Sequence, residues 1–221
     1  RTKADALFCG IDRGDVFATD LQHDFAGIKF RLHAGAKSVP AHVPVPGIHM
    51  VRNALFAVAA GTVFGLALEE CAAGLEKLQL SKGRLEMKTV RGIQIIDDSY
   101  NANPDSMKAA LLTLAQMSSN GRRIAVLGRM AELGAQSEPG HREVGRVAAD
   151  LGVDCVIAIG EEAAWIADEA WRGGIEKVLK FPAVEDSLKA LREMAHPGDL
   201  ILVKGSRSSR MERIVEGLNQ P

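Results

Sequence analysis

Between Ala6 and about Val45, apolar and polar residues alternate over short stretches. In Gly27-Ile28-Lys29-Phe30-Arg31-Leu32-His33, the residues Ile28, Phe30 and Leu32 share one side while Lys29, Arg31 and His33 share the other. A repeat of two is that of a half-exposed β-strand, so strands are expected here. Pro40, Pro44 and Pro46 end the alternation. Helical patterns follow from about Ile48 to Gly65 and from Leu68 to Leu78. Ser81-Lys82-Gly83-Arg84 is polar and holds a glycine, as a linker does. A domain boundary is expected there, dividing residues 1–82 from 83–221.

Beyond the linker, strands and helices alternate with short connections. Strands are expected near Ile93–Asp97, Ile124–Leu127, Cys155–Ile159, Lys177–Leu179 and Leu200–Val203. Helices are expected over Pro104–Met117, Pro139–Leu151, Glu161–Trp171, Val184–Met194 and Ser208–Leu218. Strands apolar throughout, such as Leu200-Ile201-Leu202-Val203, suit a sheet covered by helices on both faces. The fold class expected is therefore α/β, with a mainly parallel, Rossmann-like sheet in the C-terminal half. Such sheets bind ligands at the carboxyl ends of their strands. Asp98–Asn103, Gly128–Gly134, Gly160-Glu161 and Lys204–Ser208 all fall at that edge.

Composition narrows the function. The 27 Lys+Arg against 28 Asp+Glu leave a formal net charge of -1, with no general attraction to nucleic acid or an anionic membrane. The apolar run from Ala54 to Leu68 is broken by glycines and Thr62 and followed by Glu69-Glu70, so a buried helix is expected rather than a membrane span. Cys9, Cys71 and Cys155 are widely spaced, which makes reduced thiols and a cytoplasmic setting the default. The chain opens Arg1-Thr2-Lys3-Ala4-Asp5, without an initiating methionine or a hydrophobic stretch, and a truncated start is expected.

The stretch richest in chemistry is Asp97-Asp98-Ser99-Tyr100-Asn101-Ala102-Asn103-Pro104-Asp105-Ser106, which joins an apolar strand to a helix. Pro104 pre-sets the first helical turn, Asn103 suits the cap, and Asp105 places a carboxylate at the positive helix end. On residue chemistry alone, a well-capped turn and a ligand loop both fit.

This stretch closely resembles the signature of the Mur ligase family, in the Asn-Ala-Asn form of its dipeptide-adding branch. Pro46-Gly47-Ile48-His49-Met50-Val51-Arg52-Asn53, Gly83-Arg84-Leu85-Glu86 and Leu202-Val203-Lys204-Gly205-Ser206-Arg207-Ser208 resemble further family motifs in the same order. The resemblance implies a C-terminal Rossmann-like domain preceded by the tail of a central ATP-binding domain. The family's first domain and its phosphate loop have no counterpart here, since the chain contains no Gly-x-x-x-x-Gly-Lys-Ser/Thr. The missing N-terminal part of the same enzyme is thus an expected partner.

The resemblance further implies an ATP- and Mg2+-dependent ligase of peptidoglycan synthesis that joins D-alanyl-D-alanine to UDP-N-acetylmuramoyl-tripeptide through an acyl phosphate. It places His49 and Asn53 beside adenine, Arg84 on the ATP phosphates as the catalytic group, and Asp98 near the ribose or the hinge. It gives the dipeptide Asn101, Asn103, Ser106, Lys204 and Ser206, with a helix N-terminus after Ser206 to attract its carboxylate. No metal ligand is assigned. Read without the resemblance, His49 is a cap, Arg84 a solvated charge and Lys204-Arg207 a basic loop facing water. Two departures stand out: Met50 where the family has Asn, and Arg129 where Asp is usual. His141 reads as structural. Another ligase of the superfamily, such as folylpolyglutamate synthase, or a non-catalytic Rossmann-like binding module are the alternatives.

Overall fold

A computed structural model describes residues 6–220. The opening Arg1-Thr2-Lys3-Ala4-Asp5, on which the expected truncated start rests, lies outside them. The chain packs as two compact units that divide between Gln79 and Leu80.

In the first unit, β1 (Cys9–Ile11), β2 (Val16–Asp24), β3 (Gly27–Ala34) and β4 (Lys37–Val43) form a sheet in sequence order. β2, β3 and β4 are joined as antiparallel hairpins, and β1 runs parallel to β2. The alternation works as its period dictates: Ile28, Phe30 and Leu32 are buried, and Lys29 and Arg31 are exposed. Pro40 is accommodated because β4 is an edge strand. Gly27 has φ +132 and its α-carbon lies against Val43, where a Cβ would come within 2.1 Å of the Val43 carbonyl oxygen, so only glycine fits.

α1 (Ile48–Val63) and α2 (Leu68–Leu75) follow. α1 buries Val51, Ala54, Leu55, Val58 and Ala59, but Phe56 is 62% exposed. The expectation of a buried helix therefore holds for one face only. Among the described residues no helix is long and apolar enough to cross a membrane.

The second unit is an α/β layer structure. Its elements are β5 (Glu86–Val90), β6 (Ile93–Asp98), α3 (Pro104–Gln116), β7 (Arg123–Gly128), α4 (Ser137–Asp150), β8 (Cys155–Ile159), α5 (Ala164–Arg172), β9 (Lys177–Phe181), α6 (Val184–Met194), β10 (Leu200–Lys204) and α7 (Glu212–Asn219). The strand order is β5-β6-β10-β7-β8-β9, with β5 antiparallel to β6 and every other pairing parallel. Alternate residues of each central strand point to opposite faces. Ile95, Val126, Ile157 and Val203 pack with Leu191 of α6 and Ile214 of α7, in one continuous apolar layer.

β10 is inserted between β6 and β7, although it comes last in sequence. The chain leaves β6 to reach β7 and returns from β9 to fill the gap, which brings the loops after β6, β10 and β7 side by side at the carboxyl edge, where such sheets bind ligands.

Two expectations need correction here. β5 was not expected: it is a half-exposed edge strand, turned back by Arg91 (φ 51) and Gly92 (φ 78). The last helix starts at Glu212 rather than Ser208, because a short 3-10 turn at Arg207–Ser209 ends on Arg210 in the left-handed region. A non-glycine residue at φ 51 interrupts a continuous helix.

Candidate functional site at the carboxyl edge of the sheet

The site begins with strand register. Lys204, the last residue of β10, is directly paired with Asp98, the last of β6. The Lys204 ammonium donates to Asp98 Oδ2 at 2.5 Å and to the Asn101 carbonyl at 2.9 Å. Lys204 is only 2% exposed, so it is not a charge facing water but one half of a buried ion pair, whereas Arg207 further along the loop is exposed. A buried ammonium with a carboxylate and a carbonyl on it acts as a pin holding the loop that follows β6.

Ser206 holds the same loop from a second point. Its hydroxyl donates to the Ala102 carbonyl at 3.3 Å and accepts from the Ala131 N–H at 2.8 Å. Its own N–H donates to the Arg129 carbonyl at 2.9 Å. The loops after β6, β7 and β10 are thereby sewn together. Gly205 permits this, since a Cβ there would lie 2.7 Å from Met211 Cγ and 3.1 Å from Gly128 Cα. The helix N-terminus expected after Ser206 is replaced by the 3-10 turn, so the oriented amides of a long helix are not at hand there.

Asn103 and Ser106 form a reciprocal cap at the start of α3. Asn103 Oδ1 accepts from the Ser106 N–H at 2.8 Å, and Ser106 Oγ accepts from the Asn103 N–H at 3.0 Å. Asn101 Oδ1 accepts from the Ala102 N–H at 2.8 Å. Asn101 and Asn103 are exposed, and their side-chain amide N–H groups are not used in these bonds. Asp97 is buried and accepts from Lys88 Nζ at 2.6 Å and Ser99 Oγ at 2.6 Å.

The linker docks on this loop. Gly83 carbonyl accepts from the Tyr100 N–H at 2.9 Å, and Asp98 Oδ1 accepts from the Leu85 N–H at 3.2 Å. Arg84, exposed between them, carries its guanidinium carbon 4.7 Å from the centroid of the Tyr100 ring. Arg84, Asp98, Asn101, Lys204 and Ser206 thus share one connected neighbourhood. Asn103 and Ser106 lie at its rim, on the helix that leaves it.

His49 and Asn53 belong to the first unit. Gly47, not His49, is the N-cap of α1. His49 is half-buried and hydrogen-bonded or otherwise engaged, and exposed Asn53 directs its amide toward Met50 Sδ at 3.9 Å.

Two further residues frame the edge. Arg129 pairs with Glu162 at 3.1 Å and reaches Ser208 Oγ at 3.4 Å, tying the loops after β7, β8 and β10. His141 is fully buried at the start of α4. Its Nε2 accepts from the Met130 N–H at 2.9 Å, which fixes the proton on Nδ1, facing the Ser137 carbonyl at 2.6 Å. Burial lowers the pKa of His141, only partly offset by that carbonyl. Sequence reasoning missed Tyr100, whose only signal was an aromatic residue within a polar loop.

The family described as "Mur ligase, glutamate ligase domain" matches residues 83–207. The chain is 42% identical over 178 residues to the UDP-N-acetylmuramoyl-tripeptide--D-alanyl-D-alanine ligase of Bacillus subtilis, covering 80% of this chain and 39% of that protein. The crystal structure of MurF from Acinetobacter baumannii matches with a TM-score of 0.84 and 34% identity, over 96% of this chain and 46% of that one. MurF ligase from Thermotoga maritima in complex with ADP matches with a TM-score of 0.82 and 26% identity, over 96% and 48% of the two chains. The chain therefore spans less than half the length of these relatives.

Proposed function

The chain belongs to the Mur ligase family, and we propose that it is the C-terminal part of an enzyme that joins D-alanyl-D-alanine to UDP-N-acetylmuramoyl-tripeptide in the bacterial cytoplasm, using ATP and Mg2+. The observation that carries this reading is the 42% identity to the Bacillus subtilis ligase of that name over 80% of the chain. In this reading residues 1–82 are the tail of the central ATP-binding domain and residues 83–221 the C-terminal domain.

ATP supplies the phosphoryl group that turns the terminal carboxylate of the tripeptide into an acyl phosphate. Arg84 suits contact with its phosphates, because its planar, multi-donor guanidinium is exposed and in no ion pair with a described carboxylate. His49 and Asn53 are assigned to the adenine side. Asp98 orients the linker: one carboxylate oxygen holds the Leu85 N–H and the other holds Lys204. Among the described residues no cluster of three or more His, Cys, Asp and Glu could hold a metal, and no Mg2+ ligand is assigned to this chain.

For the dipeptide, Asn101 and Asn103 present exposed amides. Ser106 supports Asn103 through the cap, while Lys204 and Ser206 hold the backbone that carries both. Amides of this kind suit a carboxylate or a peptide group, and a fixed loop reduces the entropy lost on binding.

The test is ligation by the full-length enzyme, read as phosphate release and as the mass of the product. D-alanyl-D-alanine should be accepted and free D-alanine, L-alanine and glutamate refused. Turnover with a free amino acid and none with the dipeptide would place the chain in another branch of the superfamily.

A further inference from the structure

Arg84 and Arg207 come from opposite ends of the second unit's sequence, yet they meet at one aromatic ring. Arg84 Cζ is 4.7 Å and Arg207 Cζ 5.6 Å from the centroid of Tyr100, both within the range of a cation–π contact. Neither guanidinium forms an ion pair with a carboxylate of the described residues. Each guanidinium lies over the electron-rich ring, which gives the two cations one shared partner.

The backbone makes the meeting reproducible. Gly83 (φ +72) and Leu85 (φ 47) are both left-handed, and they flank Arg84. Gly83 is bonded to the Tyr100 N–H and Leu85 to Asp98. The main chain on either side of Arg84 is thus fastened to the loop that carries the ring. At φ +72 glycine is favoured at position 83, and a Cβ there would also press to 3.1 Å from Ser99 Oγ and 3.3 Å from the Tyr100 nitrogen. Only the long, flexible side chain of Arg84 is left to be placed, and the ring places it. Tyr100 itself is 40% exposed, which leaves its ring open to both side chains.

We propose that Tyr100 is a positioning residue whose aromatic face gathers Arg84 and Arg207 into a two-guanidinium clamp for one phosphate group. Two guanidinium groups offer parallel donors to several oxygens of the same anion, which a single arginine cannot do. Holding them together before the anion arrives removes side-chain freedom that would otherwise be lost during the reaction. The proposal rests on the reading of Arg84 as a contact for the ATP phosphates.

Steady-state kinetics of the full-length ligase tests it with Tyr100→Leu, Tyr100→Phe, Arg84→Ala and the combined variants. Tyr100→Leu should lower kcat about fivefold to twentyfold, as expected from losing the ring's hold on two exposed cations, and should leave the dipeptide KM within about twofold. Tyr100→Phe, which keeps the face and lacks the hydroxyl, should restore most of that loss. In an Arg84→Ala, Arg207→Ala background Tyr100→Leu should add nothing. Ring-current shifts of the arginine δ-methylene protons should persist in Tyr100→Phe and vanish in Tyr100→Leu. Phe as slow as Leu, an undiminished Leu effect without the arginines, or unshifted protons in the unsubstituted enzyme would each overturn the clamp. If Arg84→Ala ligates at the normal rate, the phosphate role of Arg84 falls and the clamp with it. If Arg84→Ala is slow and Tyr100→Leu is not, only the clamp falls.

Discussion

Lys204 Nζ lies 2.5 Å from Asp98 Oδ2, between directly paired residues at the ends of adjacent parallel strands. With side chains 3% and 14% exposed, the pair is largely shielded from water, where removing one partner strands the other charge. Lys204→Met is therefore expected to cost about 3 kcal/mol, the lower end for breaking a buried pair because Asp98 keeps some solvent. Both tryptophans, Trp165 and Trp171, lie in the second unit, so urea unfolding followed by their fluorescence reports on this unit. Adding Asp98→Asn should recover part of the loss. An unchanged midpoint for Lys204→Met would show that the pair does not pin the loop.

Asn103 has two separable duties. Its Oδ1 caps α3, and its exposed amide is assigned to the dipeptide. Asn103→Ala should lower stability by about 1 kcal/mol through loss of the cap. Asn103→Ser keeps a capping oxygen and removes the amide donors. Its stability should match the parent, while dipeptide affinity of the full-length enzyme falls roughly tenfold to a hundredfold, as for a lost hydrogen bond to a charged group of about 1.5–3 kcal/mol. Calorimetric titration that shows normal dipeptide binding by Asn103→Ser would reduce Asn103 to a cap.

His141 makes stability depend on pH with a definite sign. Its folded pKa is lowered from 6.5, chiefly because burial disfavours the charged ring. The unfolded chain then binds the proton more readily. The stabilisation is complete above 6.5 and is lost as pH falls below that value, until the folded ring protonates as well. Protonated Nε2 could no longer accept from the Met130 N–H, so the loop after β7 would loosen first. Urea midpoints at neutral and mildly acidic pH should differ more for the parent than for His141→Gln. Equal differences would mean that another group carries the dependence.

Asp199 is buried at the opposite, amino-terminal edge of the sheet. It accepts from the N–H groups of Arg122 and His196 at 2.9 Å each, and from Arg122 Nη2 at 2.6 Å. Burial pushes its pKa upward, but Arg122 and these backbone donors outweigh it and hold the carboxyl below 3.8. Its contribution is present above that value and is lost as pH falls through the depressed one. Asp199→Asn should cost about 2 kcal/mol, as for losing charge-assisted hydrogen bonds to a half-buried arginine, while the dipeptide KM of the full-length enzyme stays unchanged. A raised KM with normal stability would contradict a purely structural role at this edge.

Much of the architecture was legible along the chain because it depends on local periodicity. The alternation around Ile28, Phe30 and Leu32, the wholly apolar Leu200-Ile201-Leu202-Val203, and the Asn103-Pro104-Asp105 helix entry each follow from residues a few positions apart. β5 escaped notice because its strand is half-exposed at an edge and so lacks a strong apolar signal; the Arg91-Gly92 turn was the available clue. The start of α7 was misplaced because the left-handed Arg210 leaves no mark in composition.

The sequence by itself determined the family word Asn101-Ala102-Asn103, the α/β alternation and the set of polar residues that follow the strands. Only the tertiary structure decided what those residues do to one another. Insertion of β10 between β6 and β7 sets Lys204 against Asp98, residues 106 positions apart, and turns an apparently solvated lysine into a buried pin. The same insertion brings Arg207 to the ring that holds Arg84. Periodicity reports which face a residue occupies, whereas strand order depends on how whole layers cover one another, and no local pattern encodes that order.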